Sequence, residues 1–126
     1  MELEALALFE KSPGAFRLYQ VLIERLRQRV PGLETRAGKT QISFYLGRQF
    51  GCASLLRPRR KADMPTPYLT VTFGLGYPLE SPRAAAKTEP YPGRWTHHVV
   101  VGSPGDIDGE LLGWLEEAAA FAAAKR

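Results

Sequence analysis

Two Ser-Pro steps divide this chain and set what lies on either side of each. Ser12-Pro13 and Ser103-Pro104 both put a capping hydroxyl before a proline. A proline at the first helical position loses an N–H that would have had no partner anyway. After the first step, Phe16, Tyr19, Leu22, Ile23, Leu26 and Val30 recur at three- and four-residue spacing until Pro31-Gly32. That is one apolar stripe on a helix. After the second step, Leu111, Leu112, Leu115, Ala118, Ala119 and Ala122 repeat the pattern. There Asp106 is placed to complete a capping box, and Asp108 and Glu110 suit the positive end of the helix dipole. Residues 3–9, LEALALF, predict a short helical lead-in.

Between the two helices the apolar period is two. Ile42, Phe44 and Leu46 alternate with Gln41, Ser43 and Tyr45, and Leu69, Val71, Phe73 and Leu75 alternate with Tyr68, Thr70, Thr72 and Gly74. Phe50–Leu56 and Arg94–Val101 are two more short runs, the first opening after a Gly47-Arg48-Gln49 turn, and Leu33–Arg36 fits a strand at one end. Each is bounded by turn residues. Pro58–Pro67 and the Pro-rich Tyr77–Gly93 read as long surface loops. A sheet of this kind must bury one face, so the helices belong on the side of Ile42, Phe44, Leu69, Val71 and Phe73. The expected fold is α+β: a single domain over residues 1–126. It is a two-layer sandwich with an antiparallel sheet of four to five strands and the N- and C-terminal helices on one face.

The composition excludes several classes. At 126 residues there is room for one core. No apolar run approaches the roughly 20 residues of a bilayer span, so no membrane partner is expected. The start, MELEALALFEKS, lacks the basic region of a secretory signal. With one cysteine, Cys52, no internal disulfide forms, and a cytoplasmic location is expected. Charge is uneven: residues 1–63 hold 12 Lys/Arg against 6 Asp/Glu, and residues 64–126 hold 5 against 7. Arginine forks match phosphate and carboxylate oxygens, which fits an anionic small molecule or a nucleic acid as partner. A GC-rich genome would produce the same bias. The run Arg57-Pro58-Arg59-Arg60-Lys61 is either a solvated loop or an anion-contacting edge.

The residues that carry chemistry point to a surface rather than a reaction. If the helices cover one face of the sheet, the other carries Gln41, Ser43, Tyr45, Tyr68, Thr70, Thr72 and one histidine. His97 and His98 are adjacent, so on a strand they point to opposite faces and cannot share a metal. No Cys-x-x-Cys or His-x-x-Glu spacing accompanies them, and neither metal nor cofactor is expected. Gly74-Leu75-Gly76 lacks the third glycine of a dinucleotide loop, and there is no Gly-x-Ser-x-Gly elbow. The open face then admits three readings: a plain solvated surface, a binding face, or a homodimer interface.

Three segments carry a resemblance: KTQISFYLGRQFGCASLLRPRRK, YLTVTFGLGYPLESPR and EPYPGRWTHHVVVGSPGDIDGELLGWLEEA. With the patterns Lys39-Thr40-Gln41-Ile42-Ser43-Phe44 and Pro92-Gly93-Arg94-Trp95-Thr96-His97-His98, the chain resembles an uncharacterised bacterial family, domain of unknown function 5655. The likeness runs from the first helix to the last. It implies a small cytoplasmic α+β domain and carries no activity to transfer. It draws attention to Lys39, Gln41, Ser43, Arg94 and His98.

The expected function is a non-catalytic ligand-binding or interaction domain using the open face. Lys39 and Arg94 would supply charge, Gln41, Ser43 and His98 hydrogen bonds, and Tyr45 and Tyr68 stacking surface. Arg57, Arg59, Arg60 and Lys61 would contact an anion at the rim. The alternatives are a small hydrolase or transferase in which His98 serves Tyr45 or Ser43, and a structural homodimer.

Overall fold

The structure is a computed structural model that describes residues 7–124. Helix α1 spans Pro13–Arg29. Strands β1 (Glu34–Ala37), β2 (Gln41–Leu46) and β3 (Arg48–Ser54) follow as a meander, then β4 (Leu69–Leu75), β5 (Ala84–Tyr91) and β6 (Arg94–Val101), and helix α2 (Gly109–Ala124) closes the chain. The fold is α+β with the helices at the two ends, as the two helical stripes predict. Of the lead-in expected over residues 3–9, residues 7 and 8 are helical and residues 3–6 lie outside the described residues.

All six strands form one antiparallel sheet in the order β1-β2-β3-β4-β6-β5. The count is six, not four or five, because part of the supposed Tyr77–Gly93 loop is strand β5. Its sequence, AAAKTEPY, has little β-branched content and includes a proline. Those features suit an edge strand, which has one partner and a free side where a missing N–H breaks no ladder. The β5–β6 hairpin folds so that its second strand pairs with β4, which leaves β5 outermost.

One face of the sheet meets the helices. Ile42, Phe44, Ala53, Leu69, Val71, Phe73, Val99 and Val101 form a continuous core with Leu18, Leu22 and Leu26 of α1 and with Leu111, Leu115 and Ala118 of α2. The helices also grip each other by polar contacts. Arg29 pairs with Glu116 at 2.7 Å, and Arg25 Nη1 donates to the carbonyls of Pro104 and Ile107. Arg83 ties the β4–β5 connection to the start of α2, donating to Asp108, Glu110 and the Asp106 carbonyl.

Two helix starts differ in detail from the sequence expectation. Ser12 stands at the N-cap of α1, but its side chain makes no capping bond. Pro104 opens only a short 3-10 turn, Pro104–Asp106, and α2 begins five residues later. Asp106 turns back to accept from Gly102 N–H and Ser103 N–H, and Asp108 accepts from Leu111 N–H as the true cap of α2. With two acids in reach, the chain closes one tight turn before the helix starts.

Gly51 sits on the core face opposite Phe44 and Phe73. A Cβ there would lie 2.6 Å from the Thr72 carbonyl, a backbone atom that cannot swing away. Gly109, at the first position of α2, has open space around it. Gly51→Ala should therefore destabilise the protein by about 1–3 kcal/mol. Gly109→Ala should stabilise it by about 0.4–1 kcal/mol by restricting the unfolded chain. Urea unfolding of the two variants checks both signs.

Candidate functional site

The strand pairing aligns one row of side chains across the uncovered face. Arg36 faces Ser43, Ser43 faces Cys52, Cys52 faces Thr72, and Thr72 faces His98. Two cavities open along this row. The larger, about 420 Å³, is walled by Gln41, Ser54 and His98 and closed at its far end by Leu8, Leu55 and Leu56. The smaller, about 250 Å³, is walled by Gln49, Gly74, Arg94 and Thr96. Cys52 and Thr72 line both, so the two are halves of one trough. No carboxylate lines either half.

A β-bulge shapes one wall. Tyr45 pairs with Gln49 and Phe44 with Gly51, so Phe50 is the extra residue. A bulge shifts the alternation by one. Phe50 therefore turns into the core, where its ring lies 6.0 Å from that of Phe44, and Gln49 comes up onto the open face. There Gln49 Nε2 donates to Ser43 Oγ at 3.2 Å, and Gln41 Nε2 donates to the same oxygen at 3.0 Å. Ser43 accepts both amides and keeps its own proton to give.

The far wall is held in place by hydroxyls. Tyr68 Oη donates to the Leu55 carbonyl and Thr70 Oγ1 to the Leu56 carbonyl, each at 2.6 Å, while Leu56 N–H donates to Ser54 Oγ at 3.3 Å. These bonds fasten Leu55 and Leu56 over the end of the sheet as an apolar stop.

The histidines part as alternation requires. His97 is fully buried on the core face, stacked 5.4 Å from Phe73. Leu79 N–H donates to its Nε2 at 3.0 Å, so the ring proton sits on Nδ1, which has no partner among the described residues. His98 is on the open face, its Nδ1 2.9 Å from Thr72 Oγ1. Burial pushes both imidazoles below their ordinary pKa, and the charges of Lys87 and His98 push His97 further the same way. Both rings are neutral at pH 7. Burial raises the Cys52 thiol, against a smaller lowering by its hydrogen bond with Thr72. Such a thiol is a weak nucleophile at neutral pH.

A family model described as Domain of unknown function (DUF5655) matches residues 7–122. The chain belongs to this family. No curated protein and no solved structure matches it. In this DUF5655 chain the match takes in both helices and all six strands, and so the whole trough.

The residues expected at the site divide into two groups. Gln41, Ser43, Arg94 and His98 share the open face around the trough. Lys39 is exposed on the β1–β2 turn and lines neither cavity. Tyr45 has the Arg36 guanidinium 4.2 Å above its ring, which covers one stacking face, and the Tyr68 hydroxyl is engaged with Leu55. Ser43 and Tyr45 lie on β2, three strands from His98, about 14 Å at normal strand spacing. Neither is within hydrogen-bond reach of that imidazole. In the basic loop, Arg57, Arg59, Arg60 and Lys61 are all exposed. Arg60 pairs with Asp63, Arg59 reaches the Pro82 carbonyl, and none of the four lines the trough.

Sequence reasoning left out Gln49, Cys52, Ser54 and Thr72 as site residues. Thr72 was legible, since it alternates in phase with Thr70. Gln49 was not, because its side depends on the bulge. Among the described residues no three His, Cys, Asp or Glu side chains gather as a metal site, and no helix is long and apolar enough to cross a membrane.

The depressed histidines fix a pH dependence. A ring whose folded pKa lies below its unfolded value of about 6.5 takes up its proton more readily in the unfolded chain. Stability is therefore complete above about pH 6.5 and falls as the pH drops toward the folded pKa. His97 alone can contribute a slope of up to about 1.4 kcal/mol per pH unit. His97→Phe should flatten that decline between pH 6.5 and 5. At pH 8 it should cost about 1–3 kcal/mol, because Leu79 N–H loses its acceptor. Urea midpoints across this range measure both effects.

Proposed function

We propose that this chain is a non-catalytic binding domain that takes a small organic ligand in the open-face trough. The observation that carries this reading is the continuity of the two cavities over Cys52 and Thr72. A concave site with apolar walls and a few fixed polar groups is the usual form of a small-molecule site. Here Gln41, Ser43, Gln49, Thr72 and His98 supply donors and acceptors. The absence of carboxylates from the lining favours a ligand carrying negative charge. The basic loop has no part in this reading, and a nucleic acid is a weaker fit than a compact molecule.

One observation favours a second reading. A hydroxyl held 2.9 Å from a neutral imidazole, as Thr72 is from His98, has the spacing of a nucleophile and its base. This pair replaces the Ser43 or Tyr45 partnership expected from sequence. Among the described residues no carboxylate hydrogen-bonds His98 to orient it, and binding remains the better supported function.

Cys52 gives the test, because it is the only cysteine and forms the floor shared by both cavities. Its alkylation by iodoacetamide at pH 9 is followed by mass spectrometry, with nucleotides, sugars and organic acids added in turn. A ligand in the trough should slow the reaction at least tenfold. At about 100 times its Kd it should stabilise the fold by about 2.7 kcal/mol, several degrees in Tm. Arg59→Ala with Lys61→Ala should leave both effects intact. A ligand that stabilises the fold but leaves Cys52 fully reactive would overturn the trough as the binding site. Turnover of a compound that ceases in His98→Ala, with the fold intact, would replace this reading with the catalytic one.

A further inference from the structure

The trough is not uniform from end to end. At the Leu56 end its wall is mostly apolar, built from Leu8, Leu55 and Leu56. Toward Gly74 it becomes more polar. Beyond Gly74 it opens into a third hollow of about 190 Å³, where Arg48, Gln49 and Arg94 stand over a floor that includes Phe50 and Phe121. This hollow shares Gln49, Phe50, Gly74 and Arg94 with the trough and continues it.

Arg48 and Arg94 differ from the other arginines that line cavities or join elements. Arg25, Arg29 and Arg83 are committed to carbonyls or carboxylates. Arg48 and Arg94 have no ion pair or hydrogen bond among the described residues, and no acid lines their hollow. Gly74 gives Arg94 its place. A Cβ on Gly74 would lie 3.9 Å from Arg94 Nε, so the guanidinium stem lies over a strand position without a side chain. Arg48 enters the wall because β3 begins at the residue after Gly47, the tight turn with φ of +77°. Two unpaired guanidinium groups beside an amide donor, over an apolar floor, form a receptor for anionic oxygens.

We infer that the ligand of this trough is an amphipathic organic anion. Its carboxylate or phosphate head is held by Arg48, Arg94 and Gln49, and its apolar body runs past Thr72 and Cys52 to the Leu55-Leu56 stop. This deepens the binding reading above and rests on it. The length follows from β4: Thr70 and Gly74 are four residues apart, about 13 Å, the reach of an extended chain of about eight to ten carbons. Both halves of the ligand matter. A short anion would satisfy the arginines and leave the apolar end empty. A neutral chain of the same length would fill the trough and leave both arginines unpaired.

Octanoate, 1-octanol and acetate separate these contributions. Each is titrated calorimetrically into the wild type and into an Arg48→Ala/Arg94→Ala variant, with Cys52 alkylation run in parallel. Neither arginine has a partner in the fold to lose, so the variant should keep the wild-type melting profile. Octanoate should bind the wild type at least tenfold more tightly than 1-octanol or acetate and should protect Cys52. In the double variant the preference for octanoate over 1-octanol should vanish.

Equal binding of octanoate and 1-octanol by the wild type, with Cys52 protected by both, would overturn the anionic head and leave the trough standing. Acetate binding as tightly as octanoate would overturn the apolar body. Octanoate binding that leaves Cys52 reactive would overturn the trough itself. Absence of octanoate binding, while another compound protects Cys52 independently of Arg48 and Arg94, would overturn this inference alone.

Discussion

The helices cover one face of the sheet only, and most of the molecule answers to that one-sidedness. A strand points alternate side chains to opposite faces, so every residue from Gln41 to Val101 is assigned by register either to the core or to the trough. Phe73 and Thr72 are neighbours in sequence and belong to different environments. So are His97 and His98. The register that puts Phe73 and His97 against the helices is the same register that sets Thr72 against His98 on the far side. Packing on one face therefore fixes the chemistry on the other.

That coupling explains why the open face is ordered although no helix lies on it. Its small side chains, Ser43, Cys52, Ser54 and Thr70, are buried despite lying opposite the helices. Larger neighbours and the Leu55-Leu56 segment rise around them, and hydroxyl-to-carbonyl bonds hold that segment down. The result is a hollow with a floor of small polar groups. It is bounded by leucines at one end and by arginines at the other. A flat, solvated sheet would expose such residues fully.

Much of this was legible from the residues. The two stripes of period 3.6 located both helices, and alternation located the core faces of β2, β4 and β6. The adjacency of His97 and His98 required one to face each way, and the phase of Phe73 decided which. Other parts were not legible, for identifiable reasons. β5 has an edge strand's composition, which local propensity cannot distinguish from a loop. The bulge at Phe50 reverses which side Gln49 faces, and a bulge leaves no mark in the hydrophobic pattern. Asp108 took the cap expected of Ser103 because Asp106 bonded backwards. Tyr45 and Tyr68 sit on the expected face. Arg36 and the Leu55 carbonyl engage them there, and those partners are distant in sequence.

By itself the sequence determined the class of the fold, the composition of its two faces and the absence of a recognisable catalytic motif, because these depend on periodicity and short-range spacing. The tertiary structure decided the order of the strands, which placed β6 beside β4 and so brought Thr72 to His98. It also decided that Arg48 and Arg94, 46 positions apart, share one hollow while the more conspicuous basic loop stays outside it. Those outcomes depend on which strands pair and on one extra residue in one strand. Both are settled by packing across the whole domain and not by any local run of residues.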